Sequence, residues 1–142
     1  PYGDDWSDEI LFHWTKRLND SFGASIIALS DTIGCADSKI LPDLYKNLIT
    51  SFPKVEFGAH LHVNPLYAQE LISASYEGGC MRFDTAMKGF GGCPMAKDDL
   101  TGNLPTEELI KWINKNNMKN NLDQNAVSLV MNSVSKVFES TQ

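Results

Sequence analysis

Histidine and cysteine are scarce in this chain, three of each in 142 residues, and no stretch is rich in lysine or arginine. Cys35, Cys80 and Cys93 are odd in number and include no Cys-x-x-Cys spacing, which speaks against a disulfide framework and for reduced thiols. The expected setting is a reducing intracellular compartment, cytoplasm or mitochondrial matrix. A net charge of -6 without a basic helix face argues against nucleic acid or an anionic membrane as partner, and leaves a small ligand. No apolar run approaches the roughly twenty residues of a bilayer span. The opening Pro1-Tyr2-Gly3-Asp4-Asp5 has neither the basic flank nor the apolar core of a signal peptide, so the chain reads as soluble. What is present, 42% apolar and 21% charged residues, is the composition of one globular domain with a moderate core.

The apolar residues recur with helical and strand periods in alternation. Ser7 can cap a helix with Ile10, Leu11, Trp14 and Leu18 at helical spacing, ending before Gly23, and residues 24–30 then read as a strand. The unit repeats as a helix over 38–51 and a strand over 55–62, then as a helix over 66–76, stopped by Gly78 and Gly79, and a strand over 80–86. Strands that alternate with helices and read as apolar on both faces belong to parallel sheets covered by helices, so the expected class is α/β. Asn103 or Thr106 can start a further helix, with Glu107 and Glu108 favoured in its first turn and Leu109, Ile110 and Trp112 as its buried stripe. Residues 114–125 carry six asparagines and three charges and read as an exposed loop. Beyond them Val127, Val130, Met131, Val134 and Phe138 form a helical stripe expected to pack on its own domain. These patterns divide the chain at 1–112, a polar loop at 113–126 and a terminal helix at 127–142.

The chemistry gathers at the C-terminal ends of the strands, where open α/β sheets and (β/α)8 barrels bind ligands. His60 and His62 stand two apart on a strand, so both imidazoles project from one face; they either share a cation or bond to neighbouring backbone. Asp31 follows the first strand, as a polar group at the site or as a loop cap. Cys93 ends a turn containing Gly89, Gly91 and Gly92, a setting that suits a mobile, reactive thiol better than a packed one. Cys35 and Cys80 have no charged companions and read as small apolar fillers, Trp112 as core, and His13 as solvated.

Four segments carry a resemblance to a known family: Leu29-Ser30-Asp31-Thr32-Ile33-Gly34, Ala59-His60-Leu61-His62, Lys88-Gly89-Phe90-Gly91-Gly92-Cys93-Pro94-Met95-Ala96 and Gly102-Asn103-Leu104-Pro105-Thr106-Glu107-Glu108-Leu109. In order and spacing the chain resembles, over about residues 1–112, the C-terminal part of 3-hydroxy-3-methylglutaryl-CoA lyase and its relatives. These are metal-dependent lyases and synthases built on (β/α)8 barrels, and the thiol turn points to the lyase branch. The resemblance implies that His60, His62 and Asn103 ligate Mg²⁺ or Mn²⁺, that Cys93 is the mobile general acid or base, and that Asp31 serves the substrate end. It also implies a retro-aldol cleavage of an acyl-CoA, giving acetoacetate and acetyl-CoA.

Departures from the family pattern shape the expectation. Three strands stand where the barrel has eight, so the acidic residue of the first strand, its neighbouring arginine and a glutamate are missing. The chain is expected to be inactive alone and to pair with the absent barrel half or with another copy. Val63-Asn64-Pro65 replaces the usual Asp-Thr after the second histidine, and Lys97-Asp98-Asp99-Leu100 lengthens the link to Asn103, so the acyl group stays open. A zinc hydrolase would need further histidine ligands and has only His13 to draw on, while a non-catalytic barrel fragment leaves the thiol turn unexplained.

Overall fold

The computed structural model describes residues 5–92 and 101–139. Helix α1 (Asp8–Phe22) starts at Ser7, whose side chain accepts the Ile10 N–H, and stops at Gly23 in the left-handed conformation. Strand β1 (Ile26–Asp31), helix α2 (Leu41–Ser51) and strand β2 (Glu56–Val63) follow. A 3-10 turn over Pro65–Tyr67, capped by Asn64, leads into α3 (Ala68–Glu77) and the short strand β3 (Arg82–Asp84). A second 3-10 turn (Met87–Gly89), strand β4 (Gly102–Asn103), α4 (Thr106–Lys115) and α5 (Gln124–Glu139) complete the order. The expected elements are present to within a few residues, except that Asn103 joins a strand in place of opening a helix.

Strands β1, β2 and β3 are parallel and adjacent in that order, and β4 pairs antiparallel with the end of β2. Along β2 the side chains of Phe57, Ala59, Leu61 and Val63 turn to one face and are buried. They meet Leu44, Tyr45 and Leu48 of α2 and Leu71 and Ile72 of α3 in one core. Burying such aliphatic side chains stabilises the fold by about 1.5–3 kcal/mol each, so this layer fixes the register of the sheet. Tyr45 ties α2 to β2 by donating its hydroxyl to the Gly58 carbonyl, 3.2 Å away. Trp112 of α4 is buried against Tyr76 and donates its indole N–H to Ser73, joining α4 to α3.

One expectation is corrected here. The strands are not apolar on both faces: opposite the core, Ser30, Glu56, His60, Arg82 and Asp84 lie on a face that no described element covers. The alternation Glu56, Gly58, His60 along β2 is the two-residue period of a half-covered sheet, hidden by the apolar run between those residues. In α1, Leu11 and Phe12 pack against the core while Ile10, Trp14 and Leu18 face outward, with Trp14 50% exposed. The helix has two apolar stripes, and the described residues cover one. The stripe of α5 is likewise only partly covered, Val127, Met131 and Val134 being half-buried and Val130 exposed. No helix among the described residues is long and apolar enough to cross a membrane.

Candidate active site at the strand ends

His60 and His62 extend from the open face of β2, with ring centres 5.4 Å apart. Two imidazoles bound to one cation at about 2.1 Å from each nitrogen hold their centres about 5 Å apart, so the spacing suits a shared ion. Each ring is fixed by an acceptor-only partner. The buried His62 points Nδ1 at the main-chain carbonyl of Asp31, 2.9 Å away, and His60 points Nδ1 at the Asp84 carboxylate, 3.2 Å away. A carbonyl or carboxylate can only accept, so Nδ1 is the donor in each bond, and Nε2 is the nitrogen left without that partner and able to take a ligand when the ring is neutral.

Asn103 lies opposite His62 in the β2–β4 register. Its amide nitrogen donates to the carbonyls of Phe90 and Gly91, at 3.0 and 2.8 Å, which leaves the amide oxygen as the end able to ligate. The same residue therefore grips the glycine turn. That turn packs backbone against backbone: Gly89 has φ +65°, and a Cβ there would stand 2.7 Å from the Asn103 carbonyl oxygen. Lys88, also at positive φ, is held by its N–H donating to Glu107 in the first turn of α4. Cys93 lies outside the described residues.

Asp31 is placed differently from a side chain aimed at substrate. Its two carboxylate oxygens accept the N–H groups of Cys35 and Ala36, at 2.8 and 3.0 Å, closing the loop after β1, while its carbonyl orients His62. Cys80 is the buried filler expected; its Sγ lies 3.2 Å from the Arg82 carbonyl, and burial pushes the thiol pKa up, away from thiolate chemistry. Cys35 is corrected: it is exposed in the loop that Asp31 closes, because that loop runs over the surface. His13 is exposed and Trp112 buried, as their positions in the helices foretell.

Among the described residues no group of three or more His, Cys, Asp or Glu could hold a metal. His60, His62 and the Asn103 amide oxygen are three neutral donors. Their chemistry is compatible with a divalent cation that accepts imidazole and oxygen donors together. Asp84 escaped the sequence reading; the sole trace is Arg82-Phe83-Asp84, charge alternating about an apolar residue, which does not show that Asp84 registers beside His60.

The chain is similar to known lyases along most of its length. A 3-hydroxy-3-isohexenylglutaryl-CoA/hydroxymethylglutaryl-CoA lyase of Pseudomonas aeruginosa is 30% identical over 80% of this chain and 38% of its own length. An (R)-citramalyl-CoA lyase of Chloroflexus aurantiacus is 33% identical over 74% of this chain and 33% of its own. The structure of an HMG-CoA lyase from Acinetobacter baumannii, in complex with coenzyme A and 3-methylmalate, superimposes with a TM-score of 0.80 at 24% identity, over 94% of this chain and 43% of that one. The chain spans about two fifths of the length of the first curated relatives it matches, and its fold is the C-terminal portion of their (β/α)8 barrel. A model of the HMGL-like family matches residues 5–134, and the chain belongs to that family.

Proposed function

We propose that this chain carries the C-terminal half of the active site of a divalent-metal-dependent lyase that cleaves a 3-hydroxyacyl-CoA. The carrying observation is the pair of imidazoles on one strand face, each with Nδ1 engaged and Nε2 left for a ligand. His60, His62 and Asn103 would hold Mg²⁺ or Mn²⁺, which when bound polarises the hydroxyl and an adjacent carbonyl oxygen of the substrate. The substrate hydroxyl loses its proton to a base and the carbon–carbon bond breaks, leaving its electron pair on the thioester as an enolate. Cys93 delivers the proton that converts that enolate to the acyl-CoA product. Asn103, bonded to Phe90 and Gly91, holds the base of the turn from which the thiol works. Asp31 serves the substrate end by keeping the β1 loop closed and His62 oriented.

The most specific form of this reading is cleavage of 3-hydroxy-3-methylglutaryl-CoA to acetoacetate and acetyl-CoA, the chemistry of leucine degradation and ketone-body formation. A different acyl group is the second reading. It is favoured by Val63-Asn64-Pro65 after His62 and by a relative named for citramalyl-CoA. Catalysis belongs to the complete barrel, so the partners are the acyl-CoA and the remaining barrel half, with a second copy as the other candidate. We place the protein in a reducing compartment.

The test uses the full-length protein with Mn²⁺ calorimetry and a thioester cleavage assay. His62→Ala is expected to abolish Mn²⁺ binding at micromolar metal. Cys93→Ser is expected to leave it nearly intact while lowering turnover by about 10²–10⁴-fold, the usual loss of a general acid or base. Unchanged affinity in the first variant, or near-normal turnover in the second, removes the corresponding role.

A further inference from the structure

We propose that Asp84 is the positioning residue of this site, fixing the tautomer and direction of His60. The inference rests on the reading of His60 as a ligand residue for its use, but not for its geometry. Asp84 is the direct neighbour of His60 in the parallel β2–β3 register, on the same uncovered face, with Ser30 completing the row from β1. Its Oδ2 lies 3.2 Å from Nδ1 of His60. The nearest basic residue along its own strand face, Arg82, is drawn toward Glu56, at 3.4 Å, one row further from the rim. The carboxylate is thus directed at the imidazole by its place in the sheet.

A free imidazole in water favours the proton on Nε2, the nitrogen His60 must keep bare to ligate from its present orientation. The acceptor-only carboxylate at Nδ1 reverses that preference. His62 reaches the same tautomer through a neutral main-chain carbonyl, so the two rings differ in one respect: His60 alone is backed by a negative charge. That charge matters because the donors themselves, two imidazoles and an amide, are neutral. A carboxylate behind an imidazole raises its basicity toward a cation and supplies countercharge one residue removed from it. Stability does not account for the pair, since both side chains are more than a third exposed and such contacts contribute little to folding.

The experiment compares histidine ¹⁵N shifts in the metal-free full-length protein with those of Asp84→Ala and Asp84→Asn, well above the ordinary imidazole pKa. The His60 signal is assigned by its loss in His60→Gln. In the wild type His60 is expected to show the Nδ1–H pattern. Asp84→Ala moves it toward Nε2–H, while Asp84→Asn, which retains an accepting oxygen, restores Nδ1–H. Mn²⁺ affinity is expected to fall about 10–100-fold in Asp84→Ala, the usual cost of losing such a partner. A wild-type His60 already protonated on Nε2, or an unchanged pattern in Asp84→Ala, overturns the proposal, and the first of these needs no Asp84 variant to fold. Absence of Mn²⁺ binding in the wild type would instead overturn the metal reading, with the tautomer result standing by itself.

Discussion

At the scale of single residues the site is built from side chains that hold other side chains. Asp31 illustrates this best, because its carboxylate is occupied by two main-chain N–H groups and its carbonyl by His62. Hydrogen bonds to a charged acceptor are each worth about 1.5–3 kcal/mol when buried, and these sit at a half-exposed loop. Asp31→Ala is therefore expected to cost about 1–3 kcal/mol in denaturant unfolding of the full-length protein, with Asp31→Asn costing less. A purely catalytic Asp31 would lower turnover and leave the unfolding midpoint where it was. His60 and His62 were legible in the sequence, since a two-residue spacing on a strand needs only the strand to be right. The Ser30-Asp31-Thr32 turn is compatible in sequence with a functional carboxylate or a loop cap, and the Asp31 bonds to Cys35 and Ala36 are those of a cap. Asp84 was illegible because its meaning depends on which residue of β3 lies beside His60, a matter of register settled by distant core packing.

Elements were readable wherever a period ran long enough. Helix α1, with Ser7 and Gly23 at its ends, and helix α4, with Glu107 and Glu108 leading a buried Ile110 and Trp112, follow from local signals. Strand β4 did not, for two residues carry no period; Gly102 and Asn103 pair with Val63 and His62 of β2, and a Cβ on Gly102 would stand 2.8 Å from the Gly89 carbonyl oxygen of the neighbouring turn. The joint between α3 and α4 was equally hidden. Gln69 donates to both the carboxylate and the carbonyl of Glu108, and Lys111 binds the same carboxylate from the next turn. Lys111, and to a smaller degree Gln69, hold the Glu108 carboxyl below its ordinary range against the opposing effect of burial. A carboxyl depressed in the folded state contributes stability above the ordinary glutamate pKa and loses it as pH falls through the depressed value. Glu108→Gln should accordingly weaken the fold at neutral pH, by at most about 1 kcal/mol given the exposed Lys111 partner. It should make no difference once the medium is acidic enough to protonate Glu108 in both states. Parallel denaturant melts across that range check the sign, and an effect that grows toward acid pH contradicts it.

At the scale of the whole molecule, what stands out is the surface with no partner inside the described chain. Ile10, Trp14, Leu18 and Phe22 repeat every four residues along the outer side of α1, with Phe22 72% exposed, and Trp6 before the helix and Ile26 on β1 are exposed as well. On the opposite side, Met81, Phe83, Leu109 and Met118 form the apolar part of a cleft beside β3 that Arg82 and Asp84 also line. Beyond β2, neither β1 nor β3 has a second strand neighbour among the described residues. Between these flanks the open sheet face carries the Glu56–Arg82 pair and the His60–Asp84 pair. A sequence shows that a helix is apolar on two sides, but which side lacks a cover is a property of the assembled sheet. Two apolar flanks, two open strand edges and a polar face between them match what a barrel interior and its cut ends require. Large exposed apolar patches drive association in water, so the 142-residue chain expressed alone is expected to self-associate. Light scattering should give an average mass above that of one chain and rising with concentration. Trp14→Glu together with Phe22→Lys should reduce it, because both substitutions charge the α1 stripe without touching the core. Co-expression with the complementary barrel half should replace the self-associated material by a defined complex in which the same two substitutions weaken assembly. A soluble monomer with a single cooperative melt would show that the exposed stripe and open edges need no partner, and the dependence on a second barrel half would be lost with it.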